Sequence, residues 1–490
     1  MIRNGNLRKG TGEMDVKTRR THLSGGSFRK GSLRVLALLL FIVSVLGACK
    51  AVPGTESEEP PKETEKREEE VSWLIAAGPE GEVDTVPAVM RDYISLATMQ
   101  YASGDFSESV KRQMKSVWLE PEATQFSVEI REAEGVDPKA YQYVIVLSET
   151  PDFASPRTVA IDPGRRRTMQ IGNFKTDATY YWYVRAEAAD GTALRSAVST
   201  FVTKPGPRLL VIPGVENARD IGSWSGDAEN GIPQGLLYRS GKLESGGMDA
   251  VDVLVNELGI RTEIDFRDPE EEFVSSFLPA DRVTILVDPI GYYAGFIQDP
   301  PRSAESFRLL TRPAAYPVIF HCKAGADRTG SFAFILEALA GRTAVERALD
   351  YELTASRYVN ADADSEAEGY DYELLLKAFA ELPGETDADK ARSFLKAAGL
   401  TPMEIRNLEA LLSGHGAVLK DPSAVRYDAA KKAVVIELDP RDAGKPTAVE
   451  VGGKEVSFTF ENGVLTIPGI EKGAAAVRFE NGSELPVEWE

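Results

Sequence analysis

The pattern of apolar and polar positions changes several times along the chain, and each change predicts a different kind of structure. Val35 to Leu46 is an almost unbroken apolar run, whereas Ala51 to Val71 is polar and has no apolar face. Apolar and polar residues alternate in residues 117–204 and again in residues 416–490, which predicts β-strands. Residues 205–415 combine short apolar runs with helical spacing, the pattern of an α/β domain. Because 490 residues are too many for one core, we expect several folded units and a polar tether.

The alternating stretch at residues 117–204 is interpreted as a β-sandwich. Its clearest strands are Phe126–Ile130, Tyr141–Tyr143 and Tyr180–Ala186, and Asp190-Gly191 predicts a turn. With Tyr180 in the place of a tyrosine corner, the unit resembles a fibronectin type III domain. The resemblance implies either a module that binds a partner or glycan or, the interpretation we favour, a spacer and docking platform.

Residues 416–490 predict a small β-sandwich-like domain. Its expected strands are Ala433–Ile436, Val449–Val451, Val456–Phe460 and Val464–Ile467. The pairs Gly452-Gly453 and Asn462-Gly463 predict hairpin turns between them. We expect this domain to pack against the rest of the protein, with carbohydrate binding as the alternative.

The segment from Tyr316 to Leu339 predicts a strand, a tight loop and a helix. YPVIF is apolar and partly β-branched, and the residues after Gly330 place large apolar side chains at helical spacing. Further strands are expected at Thr262–Phe266 and Thr284–Val287, and further helices at Val345–Ser356 and Thr401–Leu412, the latter with a capping box. The expected fold is therefore a central sheet flanked by helices, with the loop at a strand's carboxyl end.

The loop HCKAGADRTG has the composition of an anion-binding site. Cys322 and Arg328 are separated by five residues, and Gly325 lies between them where the backbone must turn with its amides inward. Inward amides and the N-terminus of the following helix favour a phosphate group, and the arginine can bind two of its oxygens. The predicted phosphate-binding residues are Lys323, Ala324, Gly325, Ala326, Asp327 and Arg328.

The same positive field stabilises a thiolate, so the pattern predicts that Cys322 is a nucleophile at neutral pH. We expect His321 to orient the loop from beneath. The hydroxyl of Thr329 is expected to bond to the sulfur and help it leave when the intermediate breaks down.

The loop and several upstream motifs resemble those of a known enzyme family. HCKAGADRTG is similar to the signature loop of cysteine-dependent tyrosine and dual-specificity phosphatases, and especially of the bacterial and fungal type that reads HCxAGKDRTG. The upstream matches are Asn217–Gly222, Leu237–Ser240 and Gly259–Arg267, with Glu270 and Glu271 behind them. The resemblance covers residues 205–415 and implies a phosphatase domain.

The reaction needs an acid to protonate the leaving group and later a base to activate water. The resemblance implies that Asp327, inside the loop, is that acid. Asp288 is the rival, because other tyrosine phosphatases carry their acid on a mobile loop at this place. Asp265 is expected to brace Arg267 or the loop.

The chain departs from the family pattern at Ala326, where the relatives commonly have lysine, while Lys323 follows the nucleophile. Multiply phosphorylated head groups need extra positive charge, so this change argues more strongly against phosphoinositide activity than against protein phosphatase activity.

The N-terminus has the features of an export signal. Basic residues precede the apolar run, which at twelve residues is too short for a mature membrane helix, and Leu46-Gly47-Ala48-Cys49 resembles a bacterial lipobox. We expect residues 1–48 to be a lipoprotein signal peptide, with an uncleaved anchor as the alternative. Cys49 would carry the lipid, and translation could start at Met14. The expected location is outside the cytoplasm, at a membrane.

Two stretches separate the signal from the first β-sandwich. The first, at residues 49–71, is an acidic tether expected to be disordered. The second, at residues 72–116, is unassigned and partly helical, with short helices expected at Met90–Met99 and Phe106–Met114.

The charge and composition of the chain argue against nucleic acid, metal ions and cofactors as partners. The net charge is −20, and residues 1–48 hold nine basic residues against two acidic ones, so their removal would leave −27. Such an acidic chain argues against nucleic acid as a partner. With three histidines and two cysteines, no metal cluster of the usual His/Cys kind is expected, and no cofactor.

The sequence therefore predicts an exported, lipid-anchored, metal-independent phosphatase acting through a phosphocysteine. Its expected partner is a phosphorylated protein, with phosphotyrosine as the expected target residue, or a small phosphomonoester. Two alternatives remain: an inositol-phosphate or phosphoinositide phosphatase, and a catalytically silent phosphate-binding surface module.

Overall fold

The computed structural model describes residues 68–106, 124–130, 137–161, 168–225, 231–270, 275–357 and 372–489. The export signal, Cys49, most of the tether and nearly all of the helix expected at Phe106–Met114 lie outside these residues. Lys66–Glu490 forms one compact unit by its internal contacts. None of the helices in the described part of the chain has the length and apolar character needed to cross a bilayer.

The N-terminal β domain has two sheets that share one core. Its described strands are β1 (Glu69–Glu70), β2 (Leu74–Ala77), β3 (Gly81–Val83), β4 (Thr124–Ile130), β5 (Tyr141–Ser148), β6 (Arg157–Ile161), β7 (Thr168–Ile171), β8 (Thr179–Ala188), β9 (Ala193–Arg195) and β10 (Ser199–Thr203). The larger sheet has the order β1-β9-β8-β10-β3, with β5 beside β8 and β6 beside β5, and the smaller has the order β2-β4-β7. Phe126 of the smaller sheet packs edge-on against Trp182 of the larger, with ring centroids 4.9 Å apart.

This domain begins earlier in the chain than the expected boundary at residue 117. β1 pairs with β9, β3 with β10 and β2 with β4, so residues 69–83 add strands to both sheets. The expected tether, which runs to Val71, is therefore too long at its C-terminal end. Strands of two to four residues are too short to show a period of two, which is why the sequence pattern missed them. The N–H of Lys175 donates to the hydroxyl of Tyr180 at 2.8 Å, a contact like that of a tyrosine corner.

Helix α1 (Ala88–Ala102) lies between β3 and β4 in the sequence but packs against the next domain. The helix expected at Met90–Met99 is confirmed and is longer at both ends. Its buried face consists of Met90, Tyr93, Ala97 and Tyr101. These side chains belong to the same buried cluster as the core of the α/β domain.

The α/β domain is built on a five-stranded sheet with the order β11-β12-β15-β13-β14. Its strands are β11 (Arg219–Asp220), β12 (Leu237–Ser240), β13 (Thr262–Asp265), β14 (Thr284–Val287) and β15 (Val318–His321). β12, β15, β13 and β14 are parallel, and β11 is antiparallel to β12. Because β15 lies at the centre of the sheet, the loop that follows it begins at the middle of the sheet's carboxyl edge.

Eight described helices follow the strands of this domain. They are α2 (Gly247–Val251), which continues as a π-helical segment (Asp252–Glu257), α3 (Tyr293–Gln298), α4 (Ala304–Leu310), α5 (Asp327–Leu339), α6 (Ala344–Arg357), α7 (Tyr372–Ala380), α8 (Asp387–Ala397) and α9 (Pro402–Ser413). The helices expected at Val345–Ser356 and Thr401–Leu412 correspond to α6 and α9, and Thr401 forms the expected capping box with Glu404. α5 is buried from Thr329 to Leu339, so it is the central helix of the domain.

The C-terminal β domain also has two sheets. Its strands are β16 (Val418–Leu419), β17 (Arg426–Asp428), β18 (Ala433–Asp439), β19 (Pro446–Val451), β20 (Lys454–Val456), β21 (Thr459–Glu461), β22 (Val464–Pro468), β23 (Gly473–Phe479) and β24 (Glu484–Trp489). β16-β18-β22-β21 form one sheet, with β17 beside β18, and β20-β19-β23-β24 form the other. The single strand expected at Val456–Phe460 is wrong, because the chain crosses from one sheet to the other after Val456. Apolar residues continue through the crossing, so the sequence pattern could not show the break.

Candidate active site

The Cys322 loop, residues Cys322 to Arg328, connects the central strand β15 to the first turn of α5, as the sequence predicts. Cys322 is 3% exposed. Gly325 adopts φ +71°, and a Cβ at this position would lie 2.3 Å from the carbonyl oxygen of Ser240. Only glycine satisfies both the backbone conformation and the close approach to β12.

The carbonyl groups of the loop are held on its outer side. The side-chain amide of Asn217 donates to the carbonyls of Ala324 and Gly325 at 3.0 and 3.1 Å. Arg239 donates to the carbonyl of Gly325 at 2.8 Å. Consecutive peptide units whose carbonyls face outward direct their N–H groups to the opposite side. Among the described residues, no group accepts a hydrogen bond from the amides of residues 323–327. The loop is therefore a cradle of backbone donors.

A buried ionic network lies behind this cradle. Asp350 of α6 accepts a hydrogen bond from Nε of Arg219 at 2.8 Å and forms a second ion pair with Arg239. Arg219 in turn donates to the side-chain oxygen of Asn217 at 2.5 Å. Burial alone would raise the pKa of Asp350, but Arg219 and Arg239 hold it below its ordinary value. The network therefore fixes both side chains that bind the loop carbonyls.

Sequence reasoning noticed the motifs of Asn217 and Arg239 only as family matches and missed Asp350. No sequence signal short of an alignment connects Asp350 with them, since it lies 131 residues from Arg219.

The arginines and the acid of β13 lie at the same edge of the sheet. Nη1 of Arg328 donates to the carbonyl of Phe266 at 3.3 Å, so the guanidinium is directed over the end of β13. Arg267 binds Asp265 through Nε at 2.9 Å and Nη2 at 2.6 Å, and it also pairs with Glu244. The contact between Asp265 and Arg267 is the one expected from the sequence.

His321 is fully buried beneath the Cys322 loop. Its Nε2 lies 3.0 Å from the carboxylate of Glu263, and its Nδ1 lies 3.4 Å from the carbonyl oxygen of Cys322. The ring thus lies between the carboxylate of Glu263 and the backbone of Cys322, and its role in orienting the loop stays a prediction. Glu263 also accepts a hydrogen bond from the hydroxyl of Ser276.

Sequence reasoning missed that Glu263, Asp265 and His321 form a cluster whose possible metal-ligating atoms lie within 4.8 Å of one another. The carboxylates of this cluster are engaged: Asp265 binds Arg267, and Glu263 binds His321 and Ser276. The donor set therefore fits a hydrogen-bonded support for the loop better than a metal site.

Thr329 differs from its expected role. Its hydroxyl is buried in the first turn of α5 and makes no hydrogen bond within the described part of the chain. The expected bond to the Cys322 sulfur is therefore not formed in this structure.

The two candidate acids have different surroundings. Oδ1 of Asp327 accepts hydrogen bonds from the phenol of Tyr293 and from that of Tyr351 at 3.2 Å. Burial raises the pKa of Asp327 above its ordinary value, although the two phenols, Arg328 and Arg239 oppose that rise. A carboxyl group that burial helps to keep protonated, inside the loop, is suited to donate a proton.

Asp288, by contrast, is occupied at the start of a helix. Its Oδ2 accepts from the N–H of Ser306 at 3.0 Å and from the hydroxyl of Ser306 at 2.5 Å. Ser306 lies in the first turn of α4, so the carboxylate satisfies a helix N-terminus. Burial raises its pKa too, which shows that a raised pKa alone does not identify the acid.

The comparisons with known proteins agree with this geometry. Residues 210–413 match the model of the tyrosine phosphatase family. A Cupriavidus necator protein named as a tyrosine-protein phosphatase is 26% identical over 189 residues, which cover 33% of this chain and 68% of that protein.

Two solved structures show weaker likenesses. The core catalytic domain of the PP-IP phosphatase Siw14 from S. cerevisiae is 13% identical and has a TM-score of 0.25, with 39% of this chain and 98% of that chain covered. The pectate lyase Pel3 from Pectobacterium carotovorum is 12% identical and has a TM-score of 0.14, with 34% and 39% covered. Scores this low do not by themselves indicate a shared fold. The family model and the curated relative together support a phosphatase of the tyrosine phosphatase family in residues 210–413.

Proposed function

We propose that the protein hydrolyses phosphomonoesters through a phosphocysteine intermediate, with protein phosphotyrosine as its substrate. The observation that carries the proposal is the cradle itself. Asn217 and Arg239 hold the loop carbonyls outward, which directs the loop amides to the opposite side, where they can bind one anion next to Cys322. Three equatorial phosphoryl oxygens match such a ring of donors.

The chemistry takes two steps. In the first, the Cys322 thiolate forms an S–P bond while the P–O bond to the leaving group breaks, and Asp327 gives its proton to the departing oxygen. In the second, the Asp327 carboxylate takes a proton from water, the water oxygen bonds to phosphorus and the S–P bond breaks. Arg328 and the loop amides bind the phosphoryl oxygens in both steps. Phosphate and the free thiolate are the products.

The proposed substrate class follows from the charge of the residues in and beside the Cys322 loop. Ala326 supplies no cation, which favours a singly phosphorylated side chain over a polyphosphorylated ring.

One observation favours the second candidate, an inositol phosphate. Lys242 and Lys323 are both exposed, and the N–H of Lys242 donates to the carbonyl of Lys323 at 3.1 Å, so the backbones of two lysines meet beside the Cys322 loop. Rates on phosphotyrosine peptides and inositol phosphates, measured side by side, decide between them.

The location is also part of the proposal. The basic, apolar and lipobox features of residues 1–49 support export and lipidation at Cys49. The N-terminal β domain would then hold the α/β domain away from the membrane.

The two cysteines of the chain offer a matched test of the mechanism. Cys322→Ser removes the nucleophile and should lower the hydrolysis of an aryl phosphate to the background rate, with vanadate or phosphate binding retained. Cys49→Ser removes the other thiol and should leave the rate within about twofold of wild type while the protein moves to the soluble fraction. Equal rates for wild type and Cys322→Ser would contradict the proposal that the protein is an enzyme. If both proteins also bound phosphate, the result would indicate the catalytically silent binding module.

A further inference from the structure

The carboxyl group of Asp327 is held by one of its two oxygens. The phenol of Tyr293 donates to Oδ1, and the phenol of Tyr351 lies 3.2 Å from the same oxygen and 3.0 Å from the hydroxyl of Tyr293. No group in the described part of the chain makes a hydrogen bond to Oδ2. The two oxygens are therefore not equivalent.

Both tyrosines are fixed by the same helix that carries the aspartate. Tyr293 adopts φ +53°, an uncommon conformation for a bulky residue, and its N–H donates to the hydroxyl of Ser331 on α5 at 2.9 Å. The ring of Tyr351 lies against Gly330, where a Cβ would be 2.5 Å from Cε2 of the tyrosine. Strained backbone and close packing of this kind persist where a side chain must be placed accurately.

We infer that Tyr293 and Tyr351 are positioning residues that hold Asp327 by Oδ1, so that Oδ2 is the oxygen that gives and takes the proton. The inference rests on the proposed role of Asp327 as the general acid. Neither tyrosine needs to touch the substrate, and both act through the carboxyl group.

The proton balance of the reaction gives the phenols a second effect. When Oδ2 loses its proton to the leaving oxygen, the negative charge spreads over both carboxyl oxygens. The hydrogen bonds to Oδ1 then become charge-assisted and stronger. When Oδ2 takes a proton from water in the second step, they weaken again. The phenols therefore stabilise the ionised form of Asp327 and make it a stronger acid.

The sign of the pH effect follows from the groups around this carboxyl. Tyr293 faces it from α3, Tyr351 from α6 and Arg239 from β12, with Arg328 beside it and the Cys322 thiol at the start of the loop. Burial raises the pKa of Asp327, and the phenols and arginines lower it. Removing a phenol hydroxyl should therefore raise this pKa further. Because the acid must be protonated to act, activity should then persist to higher pH.

The test uses Tyr293→Phe, Tyr351→Phe and the double variant of the full chain, with a series of aryl phosphates whose leaving groups become steadily poorer. We expect kcat/KM to fall at least about tenfold on the poorest leaving group, because a misplaced acid loses part of the rate enhancement that general acid catalysis supplies. On the best leaving group it should change by less than about threefold. The alkaline limb of the pH profile should move upward. The double variant should lose less than the product of the single losses, since the two hydroxyls form one chain.

Tyr316→Phe is the matched control. Its phenol is also buried in the α/β domain, but it donates to the carbonyl of Leu310 at 2.7 Å. This variant should lose stability without altering the leaving-group dependence or the pH profile. The inference is overturned if Tyr293→Phe and Tyr351→Phe behave as Tyr316→Phe does. Asp327→Asn separates this failure from a failure of the proposed function. If Asp327→Asn shows the leaving-group dependence and the tyrosine variants do not, only the inference fails; if Asp327→Asn shows none, the assignment of the acid fails with it.

Discussion

Asp288 and Asp327 are both candidate acids, but their carboxyl groups have different hydrogen-bond partners. Burial raises the pKa of both, so protonation alone does not separate them. The hydrogen bonds do. Asp288 binds the backbone and hydroxyl of Ser306, whereas within the described part of the chain Asp327 accepts hydrogen bonds from phenols alone and none of them reaches Oδ2. A carboxylate that caps a helix stabilises it through its hydrogen bonds to the helix N-terminus. A general acid, by contrast, needs one carboxyl oxygen that no protein group binds, so that this oxygen can give its proton to the substrate.

The two residues therefore predict opposite results for the same substitution. Asp327→Asn should lower kcat/KM on a poor aryl leaving group by about 10²–10⁴ and much less on a good one. Asp288→Asn keeps an oxygen that can accept from Ser306, so it should retain its rate and lose less than about 1 kcal/mol of unfolding free energy. Steady-state kinetics and urea unfolding of both variants give the answer. A larger kinetic loss for Asp288→Asn would assign the acid to that position.

At the scale of elements, α6 is the support on which the Cys322 loop depends. Asp350 pairs with the arginines behind the loop, Tyr351 reaches Asp327, and Thr354 lies 3.4 Å from the amide of Asn217. The opposite side of the same helix is held by α1, where Tyr101 donates to the carboxylate of Glu352 at 2.5 Å and Tyr93 donates to the same group. A helix that lies between two strands of the N-terminal β domain in the sequence thus reaches the candidate site through one intermediate helix.

We expect Tyr101→Phe to destabilise the full chain by about 1.5–3 kcal/mol, because the buried carboxylate of Glu352 loses a donor. The aryl phosphatase rate should fall with it as α6 loses its support. Met99→Ala is the control, since Met99 is 61% exposed on the same helix and its loss should cost less than about 0.5 kcal/mol. Urea unfolding and kinetics on both variants test the idea, and equal stabilities would show that α1 does not hold α6.

Sequence reasoning recovered what is encoded locally. The strand, loop and helix around Cys322 are adjacent in the chain, and the need for Gly325 follows from one sharp turn. It could not recover what depends on distant residues. Asn217 and Thr354 meet across 137 positions, and Tyr351 meets Asp327 from another helix. Apolar periodicity places elements but carries no information about which polar side chains of separate elements meet.

At the scale of the whole molecule, the N-terminal β domain is joined to the α/β domain by polar contacts. Gln234 donates to the carbonyl and hydroxyl oxygens of Thr176, both at 3.0 Å, and accepts from its N–H at 3.0 Å. Arg208 binds Asp220 on one side and the carbonyl of Asn173 on the other. The N-terminal β domain is therefore fixed against the domain that carries Cys322.

Gln234→Ala should weaken this junction by about 1–3 kcal/mol, because several paired groups lose their partner together. Gln234 precedes β12 at the amino edge of the parallel strands, whereas the Cys322 loop lies at the carboxyl edge, so the aryl phosphatase rate should stay within about twofold. Calorimetry should show the unfolding of the two domains becoming less coupled. Gln142→Ala, at an exposed position of β5, is the control, and an identical unfolding profile for the two variants would contradict the prediction.

The docking of α1 also has a consequence for how the polypeptide acquires its shape. Tyr93 meets Glu352 across 259 positions of the chain. A nascent chain that emerges from its N-terminus cannot make this contact until α6 has been synthesised. Helix α1 therefore cannot dock until β4 to β10 of the N-terminal β domain, and the α/β domain as far as α6, have followed it from the ribosome. Closure of the domain that bears Cys322 is thus a late event with a high contact order, and slow folding should accompany it.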